Sequence, residues 1–361
     1  MLRYKFVLCF LSIGVIFNYQ SQAQTIIKNS NPDIHYMGRI VKTDSVAELS
    51  WPGSSIKINF YGTEISAVLK DERADNSYNI IVDGKVLTVL HPEQIKKQYT
   101  LVSHLTKGEH SVELFKRTES SMGKTWFYEF DLSDNTKALP PSAPKKRKIE
   151  FFGNSISCGY ADEDTSGKDR GTSAYENGYL SYAALTARHF DAEFHNTSKS
   201  GIGITVSWFP MTMPEMYDRQ EEADQITKWD FSKYTPDVVV INLFQNDVWL
   251  VVKPDNEQFK ARFGNTAPTS EFIINAYRNF VKSIRNKYPG AHIICILGSM
   301  DATRQGSPWP GYVQKAVDGL NDKNIYTHFI PYKNTNGHPS IKEQRDMADD
   351  LIGFIEKNIK W

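Results

Sequence analysis

The sequence has no surplus of charge of either sign. Its 361 residues include 42 Lys and Arg and 42 Asp and Glu, so the formal net charge is zero. The longest basic run, Lys145-Lys146-Arg147-Lys148, follows a proline-rich stretch and is typical of a solvated linker. We therefore expect no nucleic-acid partner.

Cysteine is also scarce. Of the three cysteines, Cys9 lies in the N-terminal apolar segment, Cys158 follows a turn and Cys295 lies inside an apolar run. The last two are predicted to be small buried residues rather than a disulfide. Two cysteines and scattered histidines do not form a zinc site, so we expect no metal and no cofactor.

Long apolar runs are confined to the N-terminus. Arg3 and Lys5 precede an apolar core at Phe6 to Phe17, and Ser21-Gln22-Ala23 provides small residues where a signal peptidase cleaves. The run is too short to span a bilayer comfortably. Residues 1–23 are therefore predicted to be a signal peptide cleaved after Ala23. The mature protein is expected to be secreted or periplasmic, without membrane contact.

The stretch 24–139 shows short strand patterns and no convincing helix. Its clearest signal is the Asp83-Gly84 turn between two apolar runs, which predicts a β-hairpin. Many short strands predict an all-β sandwich of the jelly-roll type. The prolines that follow predict a stiff linker over residues 140–148.

From residue 149 to residue 361 strand and helix patterns alternate. β-branched apolar runs are typical of parallel sheets, and such runs predict five strands here. The result is a three-layer α/β/α domain whose active site lies at the carboxyl ends of the strands. The predicted strands are 149–152, 192–196, 237–243, 292–297 and 325–330, and the main predicted helices are 178–190, 271–287 and 340–357.

Chemically useful residues follow four of these strands. Ser155 follows the first strand, Gly201 the second, Asn246 the third and His338 the fifth. A hydroxyl, a base and two amide donors on one edge are the groups that acyl transfer requires. Ser155 would attack a carbonyl and His338 would accept its proton. The amides of Ser155 and Gly201 and the side chain of Asn246 would bind the oxyanion.

Each of these residues also has a structural interpretation. Ser155 could be an ordinary turn serine, Asn246 a helix cap, and His338 a residue at a helix entry before proline. Two neighbours compete for the same roles: Ser157 is two residues beyond the predicted nucleophile, and Gly203 rivals Gly201. Ser155 and Gly201 are favoured by their spacing from the strands.

The blocks around these residues resemble a known family, the SGNH or GDSL-type hydrolases. They are Gly153-Asn154-Ser155, Asn196 to Gly201, Gln245-Asn246-Asp247 and His338-Pro339. With Gly38-Arg39 and Trp51-Pro52-Gly53-Ser54 in the front domain, the whole mature chain resembles carbohydrate esterase family two, the acetyl xylan esterase-like enzymes. The resemblance implies removal of acetyl groups from plant polysaccharides such as xylan and glucomannan, with an acetylated polysaccharide or oligosaccharide as substrate.

The sequence departs from the family pattern at three positions. Asn154 replaces an Asp, Gln245 replaces a Gly, and Asn336 and Thr335 stand where the family often has the acid that orients the histidine. We therefore expect a Ser–His dyad whose ring is oriented by a carbonyl near residues 335–336 or by the Asn336 amide. The same departures support a second hypothesis, a carbohydrate-binding protein on a catalytically impaired esterase scaffold.

Sugar rings stack on aromatic side chains, so tryptophans near strand ends are candidates for substrate binding. Trp208, Trp249 and Trp309 meet this condition, and Trp249 is favoured because it lies three residues after Asn246.

The stretch 162–167 matches the first half of a calcium loop, but Ser173 stands where the loop needs a Glu. We interpret that stretch as a solvated acidic loop.

Overall fold

The computed structural model describes residues 25–133 and 136–361. The predicted signal peptide lies outside these residues. Within the described part of the chain, no helix combines the length and apolar character that a membrane span requires. The predicted fold class, an antiparallel β-sandwich followed by a parallel α/β/α domain, is confirmed.

Two antiparallel sheets form the front domain. One sheet has the order β3-β4-β11-β6-β9 with β1 also paired to β11, and the other has the order β12-β5-β10-β7-β8 with β2 also paired to β5. The strands are β1 Thr25–Lys28, β2 Ile34–Met37, β3 Val41–Lys42, β4 Ala47–Leu49, β5 Ser55–Gly62, β6 Ile65–Asp71, β7 Tyr78–Val82, β8 Lys85–Leu90, β9 Lys97–Val102, β10 Gly108–Lys116, β11 Thr125–Leu132 and β12 Lys137–Leu139.

The hairpin and the core of this domain follow from the sequence pattern. Asp83 and Gly84 both have positive φ, 49° and 78°, as a type I′ turn between β7 and β8 requires. In β5 the side chains alternate between the core and the outer face, and its inward residues Ile56, Ile58 and Phe60 are 1% exposed or less. A two-residue period therefore produces the buried face that holds the two sheets together.

A five-stranded parallel sheet, in the order β14-β13-β15-β16-β17, forms the centre of the second domain. Its strands are β13 Arg147–Gly153, β14 Ala192–Ser198, β15 Val238–Asn242, β16 His292–Leu297 and β17 Ile325–Phe329. β14 and β15 are buried along their whole length, as in a parallel sheet covered on both faces, whereas the edge strand β17 is mostly half-buried. The helices are α1 Ser155–Cys158, α2 Tyr182–His189, α3 Met213–Met216, α4 Gln245–Leu250, α5 Glu257–Phe263, α6 Ser270–Lys287, α7 Trp309–Asp318 and α8 Ile341–Asn358, and three 3₁₀ turns lie at Ser120–Met122, Phe231–Lys233 and Asp301–Thr303.

Side-chain caps set the starts of the helices. Ser181 accepts a hydrogen bond from the backbone of Ala184, so α2 begins at Tyr182 rather than at the predicted residue 178. Ser340 and Glu343 form a capping box at the start of α8. This cap fixes the approach of the preceding loop, which carries His338.

The two domains share buried contacts. Arg39 of the sandwich is 1% exposed, and its guanidinium contacts the Glu150 carboxylate at 2.9 Å inside the parallel sheet. The same guanidinium donates to the carbonyls of Tyr217 and Arg219. Trp51 is also buried and donates its indole N–H to the carbonyl of Gln220. Both motifs that mark the front domain in the sequence therefore lie at the domain contact.

The domain limits 24–139, 140–148 and 149–361 stay predictions. The sandwich strands end at Leu139, and the first parallel strand begins at Arg147, two residues before the predicted strand.

Candidate active site

Ser155 lies at the end of the first strand of the parallel sheet. β13 ends at Gly153, Asn154 caps the short helix α1, and Ser155 is its first residue. The Asn154 side chain accepts from the Ile156 backbone at 3.1 Å, so the Asn that replaces the family's Asp supports the turn. Ser155 itself is 5% exposed. The turn therefore presents one hydroxyl at the edge of the sheet.

His338 meets this hydroxyl from the other end of the chain. Its Nε2 lies 2.8 Å from Ser155 Oγ, a hydrogen-bond distance between residues separated by 183 positions. The ring of Tyr160 packs on the imidazole, with centroids 4.4 Å apart. The His338 side chain is 12% exposed and Ser155 is 5% exposed, so both are largely shielded from solvent.

The second ring nitrogen of His338 contacts Asp169, a residue the sequence did not single out. His338 Nδ1 lies 2.9 Å and 3.0 Å from the two carboxylate oxygens of Asp169. One of these oxygens also accepts from the His338 backbone N–H at 2.8 Å. The three residues thus form a continuous Ser–His–Asp chain of the kind that serine hydrolases use.

The expected orienters of the histidine are therefore wrong. The carbonyls of Thr335 and Asn336 accept from the Lys333 ammonium, and the Thr335 hydroxyl contacts Lys333 and Glu343. These groups thus contact Lys333, and it is the carboxylate of Asp169 that lies beside the ring. The geometry is therefore that of a Ser–His–Asp triad rather than of a Ser–His dyad.

Asp169 was missed because it comes from a loop without a strand or helix pattern. It follows the acidic stretch 162–167, for which the sequence predicts a solvated loop. In the structure Asp164 accepts from the backbone and the guanidinium of Arg170, which ties the loop together on either side of Asp169. The only signal in the sequence was an Asp shortly after the nucleophile strand, and that signal is weak by itself.

The pKa of Asp169 is lowered below its ordinary value. Burial alone would raise this pKa, but the hydrogen bonds and the charge of His338 outweigh it, and the charge of Lys333 adds to the effect. Asp169 is therefore an anion at neutral pH. An anion at this place holds the proton on Nδ1 and leaves Nε2 free to accept a proton from Ser155.

Three amide donors lie near the same edge. Gly153 pairs with Ser198 and with Asn242, so the ends of three neighbouring strands are level, and Ser155, Gly201 and Asn246 follow them. Within the described chain, no acceptor contacts the N–H of Ser155 or of Gly201. Asn246 Nδ2 donates one of its two hydrogens to the Ile202 carbonyl at 2.8 Å, which leaves the other available.

The two competing residues are occupied elsewhere. Ser157 is fully buried and its hydroxyl is 2.8 Å from the hydroxyl of Tyr182. The Gly203 N–H donates to the Ser207 hydroxyl at 2.9 Å. Neither group is free to act on a substrate, so the geometry favours Ser155 and Gly201.

The three tryptophans lie in different environments. Trp208 is 44% exposed, and its indole N–H donates to Asn246 Oδ1 at 3.1 Å. Trp249 is half-buried and donates to Asp301 at 2.7 Å. Trp309 is 5% exposed and packs on Phe244 in the core, so it is not available to a substrate. Of the three indoles, that of Trp208 is therefore more exposed than that of the favoured Trp249.

Gln245, the third departure from the family pattern, also has a structural contact. Its Oε1 accepts from the Ala302 backbone at 3.0 Å, so it supports the turn at Asp301–Thr303.

Cys158 and Cys295 are buried and free. Over residues 25–133 and 136–361, no group of three or more His, Cys, Asp or Glu is placed to hold a metal ion.

Both parts of the chain match known families. Residues 36–142 match the family described as carbohydrate esterase 2 N-terminal, and residues 151–338 match the GDSL-like lipase/acylhydrolase family. The cellulase/esterase CelE of Acetivibrio thermocellus is 36% identical over 343 residues, 92% of this chain. This chain spans only 40% of the length of CelE.

Other relatives match this chain over nearly their full length. An acetylxylan esterase/glucomannan deacetylase of Cellvibrio japonicus is 24% identical over 93% of this chain and 91% of its own. The structure of a family two carbohydrate esterase from Clostridium thermocellum in complex with cellohexaose has a TM-score of 0.80 and 34% identity, over 90% of this chain and 98% of that one. The protein therefore belongs to the family two carbohydrate esterases, which are serine-type carboxylic ester hydrolases.

Proposed function

We propose that the protein is an exported carbohydrate O-acetyl esterase that removes acetyl groups from xylan or glucomannan. The observation that carries the proposal is the Ser155–His338–Asp169 chain, with 2.8 Å between Ser155 Oγ and His338 Nε2. The substrate class rests on relatives named acetylxylan esterase and glucomannan deacetylase. Export rests on the pattern of residues 1–23.

The first half of the reaction is acylation. Ser155 Oγ attacks the acetyl carbonyl carbon while His338 Nε2 takes the hydroxyl proton. The carbonyl oxygen becomes an anion that accepts hydrogen bonds from the amides of Ser155 and Gly201 and from Asn246 Nδ2. When the carbon–oxygen bond to the sugar breaks, His338 returns the proton to the leaving sugar oxygen. Acetyl-Ser155 and a free sugar hydroxyl remain.

The second half is hydrolysis of this acyl-enzyme. His338 takes a proton from water, the hydroxide attacks the acetyl carbon, and the same donors bind the second oxyanion. Collapse of this intermediate breaks the bond to Ser155, whose oxygen receives the proton from His338. Acetate leaves, and the site returns to its starting state. The reaction consumes one water for each ester cleaved, and the three side chains and the amides return to their starting state.

Trp208 is the proposed contact for the sugar. It is exposed, and its indole N–H donates to the oxygen of the Asn246 amide whose nitrogen serves the oxyanion. A sugar ring stacked on this indole would lie beside the reacting carbonyl. Trp208 would thus bind the sugar and also fix which way the Asn246 amide points.

The second hypothesis from the sequence is a carbohydrate-binding protein without catalysis. That hypothesis rested on the departures from the family pattern at Asn154, Gln245 and Asn336. Asp169 supplies a carboxylate to the ring, and the Ser155 hydroxyl is within hydrogen-bond reach of the imidazole. These contacts favour the enzyme.

The test is loss of the nucleophile. Ser155→Ala should abolish hydrolysis of p-nitrophenyl acetate, whereas Ser157→Ala, which changes a neighbouring hydroxyl bonded to Tyr182, should keep it. Acetate release from acetylated xylan and acetylated glucomannan then ranks the two substrates. Hydrolysis that persists in Ser155→Ala, or an inactive wild type, contradicts the proposal.

A further inference from the structure

The front domain contacts the loop that carries Gly201. The carboxylate oxygen Oε2 of Glu119, in the segment after β10, accepts from the backbone N–H of Ser200 at 2.7 Å. Glu119 is 2% exposed, so this contact is made away from bulk water. The thiol of Cys158 lies 3.8 Å from the same oxygen. A residue of the sandwich therefore reaches the chain position next to the oxyanion donor.

The loop at this point is a tight turn. Ile202 N–H donates to the Lys199 carbonyl at 3.3 Å, and Gly201 has φ of 82°. A positive φ at the third residue is the mark of a type II turn, which favours glycine there. Type I and type II turns differ in the orientation of the peptide between the second and third residues. In this turn that peptide carries the Gly201 N–H.

Glu119 is well placed to fix this orientation. Its carboxylate oxygen accepts from the N–H of Ser200, the second residue of the turn, and so fixes the direction in which this N–H points. A hydrogen bond to a carboxylate is shorter and stronger than one between neutral groups. Without it, the Ser200 N–H would lose its partner, and the turn would lose one constraint on the peptide that follows.

Glu119 is itself held rigidly. The Lys116 ammonium, fully buried, donates to the carbonyls of Thr118 and Glu119, and the Glu119 N–H donates to the Glu176 carboxyl. The Gly178 N–H donates to the Arg117 carbonyl at 2.7 Å, and a Cβ on Gly178 would come within 2.8 Å of that oxygen. The segment 116–119 is thus fixed against the second domain before it reaches the loop.

We propose that Glu119 is a positioning residue for the oxyanion site: by accepting from Ser200 it holds the Gly201 amide toward the reacting carbonyl. The β-sandwich then contributes to catalysis through this residue. The inference rests on the proposed function, because it needs an enzyme whose transition state is an oxyanion.

The test compares three variants for p-nitrophenyl acetate turnover. Glu119→Ala removes the acceptor, and kcat should fall about 10- to 100-fold, somewhat less than for loss of a donor itself. KM should change little, because ground-state binding does not use the donor. Glu119→Gln keeps an acceptor oxygen and should restore kcat to near the wild-type value. Glu222→Ala is the matched control: it removes another carboxylate that links the same parts, through Lys199 and Ser120, without touching the turn backbone.

A second measurement separates positioning from stability. A small alkylboronic acid forms a tetrahedral adduct with a serine hydroxyl and places an oxygen at the oxyanion position, so its inhibition constant should rise in Glu119→Ala in parallel with the loss of kcat. Should Glu119→Ala fail to fold, Glu119→Asp withdraws the acceptor by one methylene and should show the same two changes.

The inference is overturned if Glu119→Ala keeps wild-type kcat, or if Glu222→Ala loses as much. It is overturned as well if boronate inhibition is unchanged while kcat falls. An inactive wild type would contradict the proposed function instead, so the two failures are distinguishable.

Discussion

Asp169 acts on His338 through two groups at once, the ring and the backbone N–H. Its pKa is lowered, so the carboxylate stabilises the fold above its unfolded-state pKa, and that contribution is lost as pH falls through the folded-state pKa. The ordinary pKa of an Asp carboxyl is about 4, and the folded-state pKa of Asp169 lies below its ordinary value. The charge beside the ring is therefore constant through neutral and mildly acidic pH, and changes of activity in that range arise from other groups.

Replacing this charge tests the arrangement. Asp169→Asn should lower kcat by about 10²- to 10⁴-fold, because an amide can donate to Nδ1 and favour the wrong tautomer of His338. Asn336→Ala, which changes the side chain expected from the sequence to orient the ring, should leave kcat within about twofold. Steady-state hydrolysis of p-nitrophenyl acetate measures both. Equal losses in the two variants would contradict the assignment of Asp169.

At the scale of elements, the loop between β17 and α8 depends on a buried cation. The Lys333 side chain is 4% exposed, and its ammonium donates to the carbonyls of Thr335 and Asn336. Its backbone N–H donates to the Ser299 carbonyl at 2.7 Å. Lys333 thus joins the loop of His338 to the segment after β16.

We expect Lys333→Met to loosen this loop while keeping the apolar stem of the side chain. Turnover should fall about 10-fold, since small displacements of a catalytic group are costly. Lys342→Met, which removes an exposed ammonium paired with Asp346 on α8, serves as the control and should not change turnover. A Lys333→Met enzyme with wild-type kcat would show that the position of His338 does not depend on Lys333.

The elements were largely predictable from the sequence because their signals are local. β-branched runs marked the strands, Ser340 marked the start of α8, and Asp83-Gly84 marked the hairpin. The position of Ser155 and His338 at strand ends followed from these elements. The position of Asp169 could not be predicted in this way, because its loop has no periodic pattern of apolar residues. Its contact with His338 also joins residues 169 positions apart.

At the scale of the molecule, the buried pair of Arg39 and Glu150 links the two domains. Glu150 also accepts from the hydroxyls of Tyr288 and Thr197, so all its partners are inside the protein. Removing one partner of a buried pair leaves an uncompensated charge, which costs more than the pair itself contributes. The sequence could not reveal this pair, since 111 positions separate its members.

Arg39→Ala should therefore destabilise the protein by about 3–5 kcal/mol. Urea denaturation followed by tryptophan fluorescence measures the shift of the midpoint. Lys97→Ala, which breaks an exposed pair with Glu93, should leave the midpoint unchanged. A midpoint for Arg39→Ala equal to that of the wild type would mean that the domain contact does not depend on this ion pair.

Two contacts between the domains, Glu119 with Ser200 and Arg39 with Glu150, have a consequence for recombination. Exchanging the coding region of the sandwich for that of an unrelated module would deprive Ser200 of its acceptor and Glu150 of its cation in one event. We expect such chimaeras to be both unstable and slow, even when each half folds well in its native setting. The two gene segments should accordingly be inherited, and engineered, as one unit.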